Sequence, residues 1–272
     1  MYMPFLKITK KNAEFQVIQA LKENRVKRSQ SHEIFVEGIE VIKQLIRTDR
    51  KITRIIVKDR ENISNWAKDL IESHKNAKII EMAPELYNEL CDKSEPSELV
   101  VTAFHSSLAL EDLVLPANPF YVLFDRPSDT GNFGSFLRSA DAFRVDAIFV
   151  MGHGIDIYEP KVLRSSLGSV FHQKIVSLES FEILQKFLSE EKSRISLRVI
   201  GTDSKGSVSL SETKLQRPIC MILGNEAKGM SVKLQSLCDE IVSIPLDGNV
   251  NSLNVASAAS IFMWDVFRNS RT

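Results

Sequence analysis

Cysteine is scarce in this 272-residue chain, and what little there is excludes two classes of protein. Cys91, Cys220 and Cys238 are too few and too scattered for a disulfide framework or a zinc site, so each reads as a small structural hydrophobe and no metal is expected. No run of ~18 apolar residues occurs, which excludes a membrane-spanning helix. Met1–Lys11 lacks the apolar core and small-residue cleavage site of a signal peptide, so the expected location is the cytoplasm. There is no internal repeat and no low-complexity tract. With 43% hydrophobic and 26% charged residues the composition is that of a globular protein, long enough for one large domain or two ordinary ones.

Net charge is also absent, but the zero conceals an uneven distribution. Through Arg54 there are twelve Lys/Arg against six Asp/Glu, an excess of six positive charges. Lys22, Arg25, Lys27 and Arg28 crowd one stretch that suits a phosphate backbone, since cationic contacts release counterions. A solvated, charged helix end explains the same cluster equally well.

Apolar periodicity divides the chain in two. Phe15, Ile18 and Leu21 form a helical stripe, and strands at 33–36, 52–57, 78–81 and 99–104 alternate with helices at 38–46, 62–73 and 84–91. This predicts a small α/β domain over residues 1–105. Residues 106–118 hold Pro116 and no sustained period, making a linker. Beyond it, strands at 120–124, 147–151, 197–201, 219–223 and 241–244 are apolar throughout, as expected where both faces of a parallel sheet are covered. Residues 119–272 are therefore expected to form a second domain, with helices at 132–143, 160–168, 180–192, 231–237 and 254–267.

Chemistry gathers where three of these strands end, and three such loops can converge at the carboxyl edge of one sheet. After Phe124 comes D-R-P-S-D-T-G-N-F-G-S-F-L-R, in which Gly131 and Gly134 flank Asn132 at a helix start and Arg138 sits on the second turn. The free N–H groups there favour an anionic or polar ligand. The spacing is not G-x-G-x-x-G and no acidic residue closes the next strand, which disfavours a dinucleotide. Arg138 can reach a cleft shared with Asn132, or pair with Asp141 on the helix surface. The second loop, Gly224-Asn225-Glu226, puts a carboxylate and an amide at the sheet edge, where Glu226 is either functional or a turn residue. In the third, Pro245 stops the strand, Asp247-Gly248-Asn249 turns the chain, and Ser252-Leu253-Asn254 opens a helix that Ser252 can simply cap.

The phrases G-N-F-G-S-F-L-R-S-A-D-A-F, I-L-G-N-E-A-K-G-M-S and I-P-L-D-G-N-V-N-S-L-N-V-A-S-A-A resemble, in order and spacing, the three motifs of the SpoU (TrmH) family of the SPOUT RNA methyltransferases. The likeness runs from Pro119 to about Arg268, and the first hundred residues, with F-V-E-G at 35–38, are similar to the RNA-binding domain of the ribosomal-RNA members. The family more often has glycine at Ala227 and glutamate at Asn251.

What the resemblance implies is methyl transfer from S-adenosylmethionine to a ribose 2′-hydroxyl of RNA, most of all large-subunit ribosomal RNA. The enzyme would be a homodimer whose parallel-sheet catalytic domain carries a carboxy-terminal trefoil knot. Asn132, Arg138, Glu226, Ser252 and Asn254 would form the catalytic and substrate-ribose set. The backbone near Thr202, Gly224, Ile244 and Leu253 would hold the cofactor, and Arg164 would meet RNA phosphate together with Lys22, Arg25, Lys27 and Arg28. The family's scheme makes Arg138 the base; a guanidinium with a pKa above ~12 is a poor one, so a cationic Arg138 with proton loss through Glu226 or water is the alternative. A tRNA 2′-O-methyltransferase and a non-catalytic RNA-binding protein on the same fold are the rival functions.

Overall fold

The computed structural model describes residues 5–92, 96–152 and 154–270. The outer limits of the expected domains, at 1 and 272, and the first residues of the stretch read for a signal peptide lie outside them. The chain divides into two compact units, Met1–Ser106 with Asp156–Phe171, and Ser107–Ile155 with His172–Thr272.

The first unit is a mixed five-stranded sheet with helices. In chain order it holds β1 (Phe5–Ile8), α1 (Ala13–Glu23), α2 (Arg25–Ser31), β2 (Glu33–Glu37), α3 (Ile39–Ile46), β3 (Ile52–Val57), α4 (Asn65–Ser73), β4 (Lys78–Met82), α5 (Pro84–Leu90) and β5 (Leu99–Phe104). The strand order is β1-β4-β3-β5-β2, with β5 antiparallel to both neighbours. Phe15, Ile18 and Leu21 pack against Phe35, Ile56, Ile80 and Val100 in one fully buried cluster. The helix that carries this stripe breaks at Asn24. Its extended backbone ends α1, and its side chain accepts from the Lys27 N–H at 3.1 Å to start α2, because a short polar side chain competes with the helix's own hydrogen bonds.

The second unit carries β6 (Phe120–Asp125), α6 (Thr130–Ala142) and β7 (Ala147–Met151) before the excursion through α7 (Pro160–Ser165), which belongs to the first unit. It continues with β8 (Ile175–Leu178), α8 (Phe181–Ile195), β9 (Arg198–Thr202), β10 (Val208–Ser209), β11 (Ile219–Leu223), α9 (Val232–Gln235), β12 (Glu240–Ser243) and α10 (Val255–Asn269). All seven strands are parallel, in the order β10-β12-β9-β11-β6-β7-β8, so the parallel sheet expected from the sequence is present. Alternate residues face opposite layers: Tyr121 and Leu123 join Phe187 and Leu188 of α8, whereas Phe124 meets Phe133 and Phe136 of α6. From β6 the chain builds to one side through β7 and β8 and to the other through β11, β9 and β12. That reversal places a crevice at the carboxyl ends of the central strands.

Residues 106–118 do not run free. Leu113 is buried, and Leu108 and Leu110 pack against the second unit's core around a 3-10 turn at Leu110–Asp112. The short strands β1, β8 and β10 were not expected; four residues or fewer give too little periodicity to read. The cysteines are free, and burial pushes the thiols of Cys91 and Cys238 up to about 12, consistent with a structural role.

Candidate active site

At the carboxyl edge of the seven-stranded sheet the loops enclose a cleft of about 450 Å³. Thr202 ends β9 and its hydroxyl donates to the Ile222 carbonyl at 3.1 Å, so the strand end is fixed to β11. Gly224 follows β11 where a Cβ would lie 2.5 Å from the Met230 nitrogen; only glycine lets the loop fold back this closely. Ile244, the strand end expected from sequence, stands one residue beyond the end of β12 and lines the cleft with Leu253.

The three loops are latched to one another by side chains. Asp125, buried at the end of β6, accepts from the Ser231 N–H at 3.0 Å, joining the first loop to the second. Asn225 donates to the Arg126 carbonyl at 2.7 Å. Glu226 accepts from the Ser128 hydroxyl at 2.9 Å and from the N–H groups of Ser128 and Asp129. It is therefore more than a turn residue: its carboxylate is set against the first turn of α6, where the helix dipole favours negative charge.

A second latch joins the first loop to the third. Asn254 caps α10, its Oδ1 accepting from the Ala256 and Ser257 N–H groups, and that fixes its Nδ2 to donate to Asn132 Oδ1 at 2.8 Å. The cap of α10 is thus Asn254 and not Ser252, which is exposed on the cleft's rim. Helix α6 starts at Thr130, two residues before the expected start, with Asp129 capping the Asn132 N–H at 2.7 Å; Gly131 and Gly134 consequently lie inside its first turns. Ala227, at a position where glycine is commoner, has its N–H bound by Asn225 Oδ1 at 3.0 Å.

Of the nine residues singled out for catalysis and cofactor binding, Asn132, Thr202, Gly224, Glu226, Ile244, Ser252, Leu253 and Asn254 line this one cleft. Arg138 does not. It is exposed on α6 and has no ion-pair partner among the described residues; Asp141, its expected surface partner, accepts instead from Gln173 at 3.2 Å. Sequence reasoning missed Asp203, Leu246 and Phe262, which also line the cleft. Asp203 had a readable signal, since it follows a strand end in the same way as Glu226.

The basic residues assigned to RNA separate sharply. Arg28 is buried, with its guanidinium on Asp156 at 2.6 Å and on the carbonyls of Leu21 and Lys22 at 2.7 Å. Lys22 is paired with Asp92 at 2.7 Å, and Arg164 bridges Glu37 and Asp92 at 2.9 and 2.6 Å. These three leave the candidate phosphate set, because the first unit itself satisfies their charge. Burial opposes ionisation of Asp92, yet the hydrogen bonds from Lys22 and Arg164 hold its carboxyl below the usual range. Arg25 is exposed and Lys27 half-buried, and both remain in the set.

Comparison with known proteins gives a consistent picture. The model of the SpoU rRNA Methylase family matches residues 119–264, and that of the SpoU L30e-like domain matches residues 12–101. The chain is 34% identical over 264 residues to a 23S rRNA (uridine(2479)-2′-O)-methyltransferase of Streptomyces viridochromogenes, covering 96% of this chain and 92% of that protein. It is 27% identical over 240 residues to the 23S rRNA (guanosine(2553)-2′-O)-methyltransferase RlmP of Bacillus subtilis, covering 87% and 89%. The crystal structure of the SpoU methyltransferase AviRb from Streptomyces viridochromogenes in complex with AdoMet matches with a TM-score of 0.88 at 33% identity, over 95% of this chain and 98% of that one.

Proposed function

The chain belongs to the SpoU rRNA methylase family, and from that premise we infer its reaction: it methylates a ribose 2′-hydroxyl of RNA with S-adenosylmethionine, and its substrate is large-subunit ribosomal RNA. The observation that carries this reading is the convergence of the three loops on one cleft, with eight named residues on its wall. The cleft fits the cofactor. Its size is that of a small-molecule site, Ile244, Leu246, Leu253 and Phe262 offer an apolar bed, and none of the described residues lining it is basic, which suits a cationic nucleoside better than a phosphorylated one.

S-adenosylmethionine, when bound, supplies an electrophilic methyl group. The protein's own task is positioning and charge. The Asn132–Asn254 pair fixes the relation of the first and third loops, so the substrate ribose meets a preorganised rim and not one that must reorganise. Glu226, already accepting hydrogen bonds from the first loop, is the carboxylate through which the hydroxyl proton leaves, directly or by water. Arg138, an exposed guanidinium, stays cationic and stabilises the developing alkoxide or the adjacent phosphate.

Arg138 lies outside its own chain's cleft, and a homodimer resolves that. Ile261 and Trp264, one turn apart on α10, are exposed, and Trp264 packs in tilted ring contacts with Phe143 and Phe267 into an apolar ridge where α6 and α10 pack together. A second copy seated on this ridge delivers the missing arginine; a carboxy-terminal trefoil knot and a cytoplasmic location belong to the same reading. Trp264→Glu should convert the dimer to monomer in sedimentation velocity and lower methyl transfer in parallel; a fully dimeric variant would exclude the ridge as the interface.

The first unit is the RNA-binding part, with Arg25 and Lys27 as its phosphate contacts. Replacing both with alanine should flatten the slope of log Kobs against log salt by roughly 1 to 2 for RNA binding. An unchanged slope would place the contacts elsewhere. The reaction itself is tested by alkaline hydrolysis of the product RNA: a 2′-O-methylated linkage resists cleavage, whereas a base-methylated product is cut at every position.

A further inference from the structure

Two carboxylates line the cleft, those of Glu226 and Asp203, and among the described residues that line it there is no Lys, Arg or His to balance them. The two are not equivalent. Glu226 accepts from Ser128, Asp129 and Asn225, so its charge is already met by donors on the neighbouring loops. Asp203 is held by its backbone, the N–H donating to the Val242 carbonyl at 3.2 Å and the carbonyl accepting from the Gly206 N–H at 3.1 Å. Its Oδ1 accepts only from the Lys205 N–H at 2.8 Å. Its Oδ2 lies beside Gly229, 3.8 Å from where a Cβ would stand, and has no hydrogen bond or ion pair with any described residue. A rigid turn therefore holds an uncompensated half of a carboxylate at a cleft of about 450 Å³.

We propose that Asp203 gives the cleft its preference for the methyl donor over the demethylated product, by charge. The inference rests on the cofactor reading above. S-adenosylmethionine carries a sulfonium cation, whereas S-adenosylhomocysteine is the neutral thioether and shares every other group. A contact that shapes the cleft acts on both ligands; a fixed negative charge acts on their difference. A compact cleft of about 450 Å³ is on the order of 10 Å across, comparable to the Debye length of about 8 Å at physiological ionic strength, and charges paired inside a cleft are screened less than exposed ones, so salt weakens the attraction without erasing it. Product release gains by the same arrangement, since the ligand that has lost its charge is held less tightly.

The test is calorimetric titration of the full chain, wild type and Asp203→Asn, with S-adenosylmethionine, S-adenosylhomocysteine and sinefungin, in which a protonated amine stands in the sulfonium's place. Asparagine keeps the Oδ1 that accepts from Lys205, so the turn is retained. The expected result is a roughly tenfold or greater weakening for the two cationic ligands, of the order a nearby charge gives at an effective dielectric of about 20, with less than a twofold change for S-adenosylhomocysteine. Asp203→Glu should keep the preference. Equal weakening of all three ligands, or no change in any, would overturn the charge role while leaving the cofactor reading intact. Failure of the wild type to bind any of the three would overturn the cofactor reading itself.

Discussion

Arg138→Ala should lower kcat for methyl transfer by roughly 10²–10³-fold, the usual cost of removing one group that stabilises developing negative charge. Arg138→Lys should be nearly as damaging, because an ammonium is a point charge without the planar fork that engages two oxygens at once. Since Arg138 does not line its own chain's cleft, the variant should bind S-adenosylmethionine as the wild type does, and the loss should appear in kcat and not in cofactor affinity. A sharper check follows from the proposed dimer. Mixing Arg138→Ala subunits with subunits disabled at Asn254 should recover part of the activity if the arginine acts across the interface, since one of the two mixed sites then has every group intact. No recovery on mixing, with mixed dimers present, would mean that the arginine serves its own chain. Near-wild-type turnover by Arg138→Lys would argue against any role that needs the guanidinium.

The second large effect concerns stability. Arg164→Ala should destabilise the protein by about 3–5 kcal/mol, the cost of leaving a buried charge without its partner. The partner is Glu37, whose side chain is 0% exposed, and whose Oε1 already has no hydrogen bond among the described residues. The change should appear as a lower urea midpoint at constant m. If Arg164 instead met RNA phosphate, the midpoint would stay put and RNA affinity would fall. Acid dependence supplies an independent sign. Asp92, which Arg164 also holds, has its carboxyl lowered in the folded state. A lowered carboxylate contributes stability that is complete above its unfolded value and is lost as pH falls through the folded one, so the deficit of the variant should narrow only below about pH 4.

Arg164 also shows where the sequence ceased to be readable. Its acid partners, and those of Arg28, lie 72 to 128 residues away along the chain, and nothing local marks a basic cluster as internally paired. Four crowded cations suggest a phosphate surface equally whether or not acids from β2, the end of α5 and the 156–171 segment fold back onto them. The membership of that segment in the first unit was hidden for the same reason. Strands β6, β7 and β11 were legible almost to the residue because both their faces are covered, which forces continuous apolar runs bounded by polar turns. The cleft was legible because its chemistry sits where such strands stop, and each loop carries its functional residues within a few positions of the strand end. Asp203 follows the same rule after β9, at the head of the D-S-K-G turn that Gly206 closes, and was missed because that turn lies outside the three phrases that carry the resemblance.

The measurement that bears most directly on the central claim is transfer of labelled methyl from S-adenosylmethionine to separated ribosomal and transfer RNAs taken from an unmodified source, with Arg138→Ala run in parallel. The expected result is alkali-resistant label in large-subunit ribosomal RNA that disappears with the variant. Label in neither RNA, despite tight and salt-sensitive binding, would contradict the account and leave a protein that binds RNA on a methyltransferase fold without modifying it.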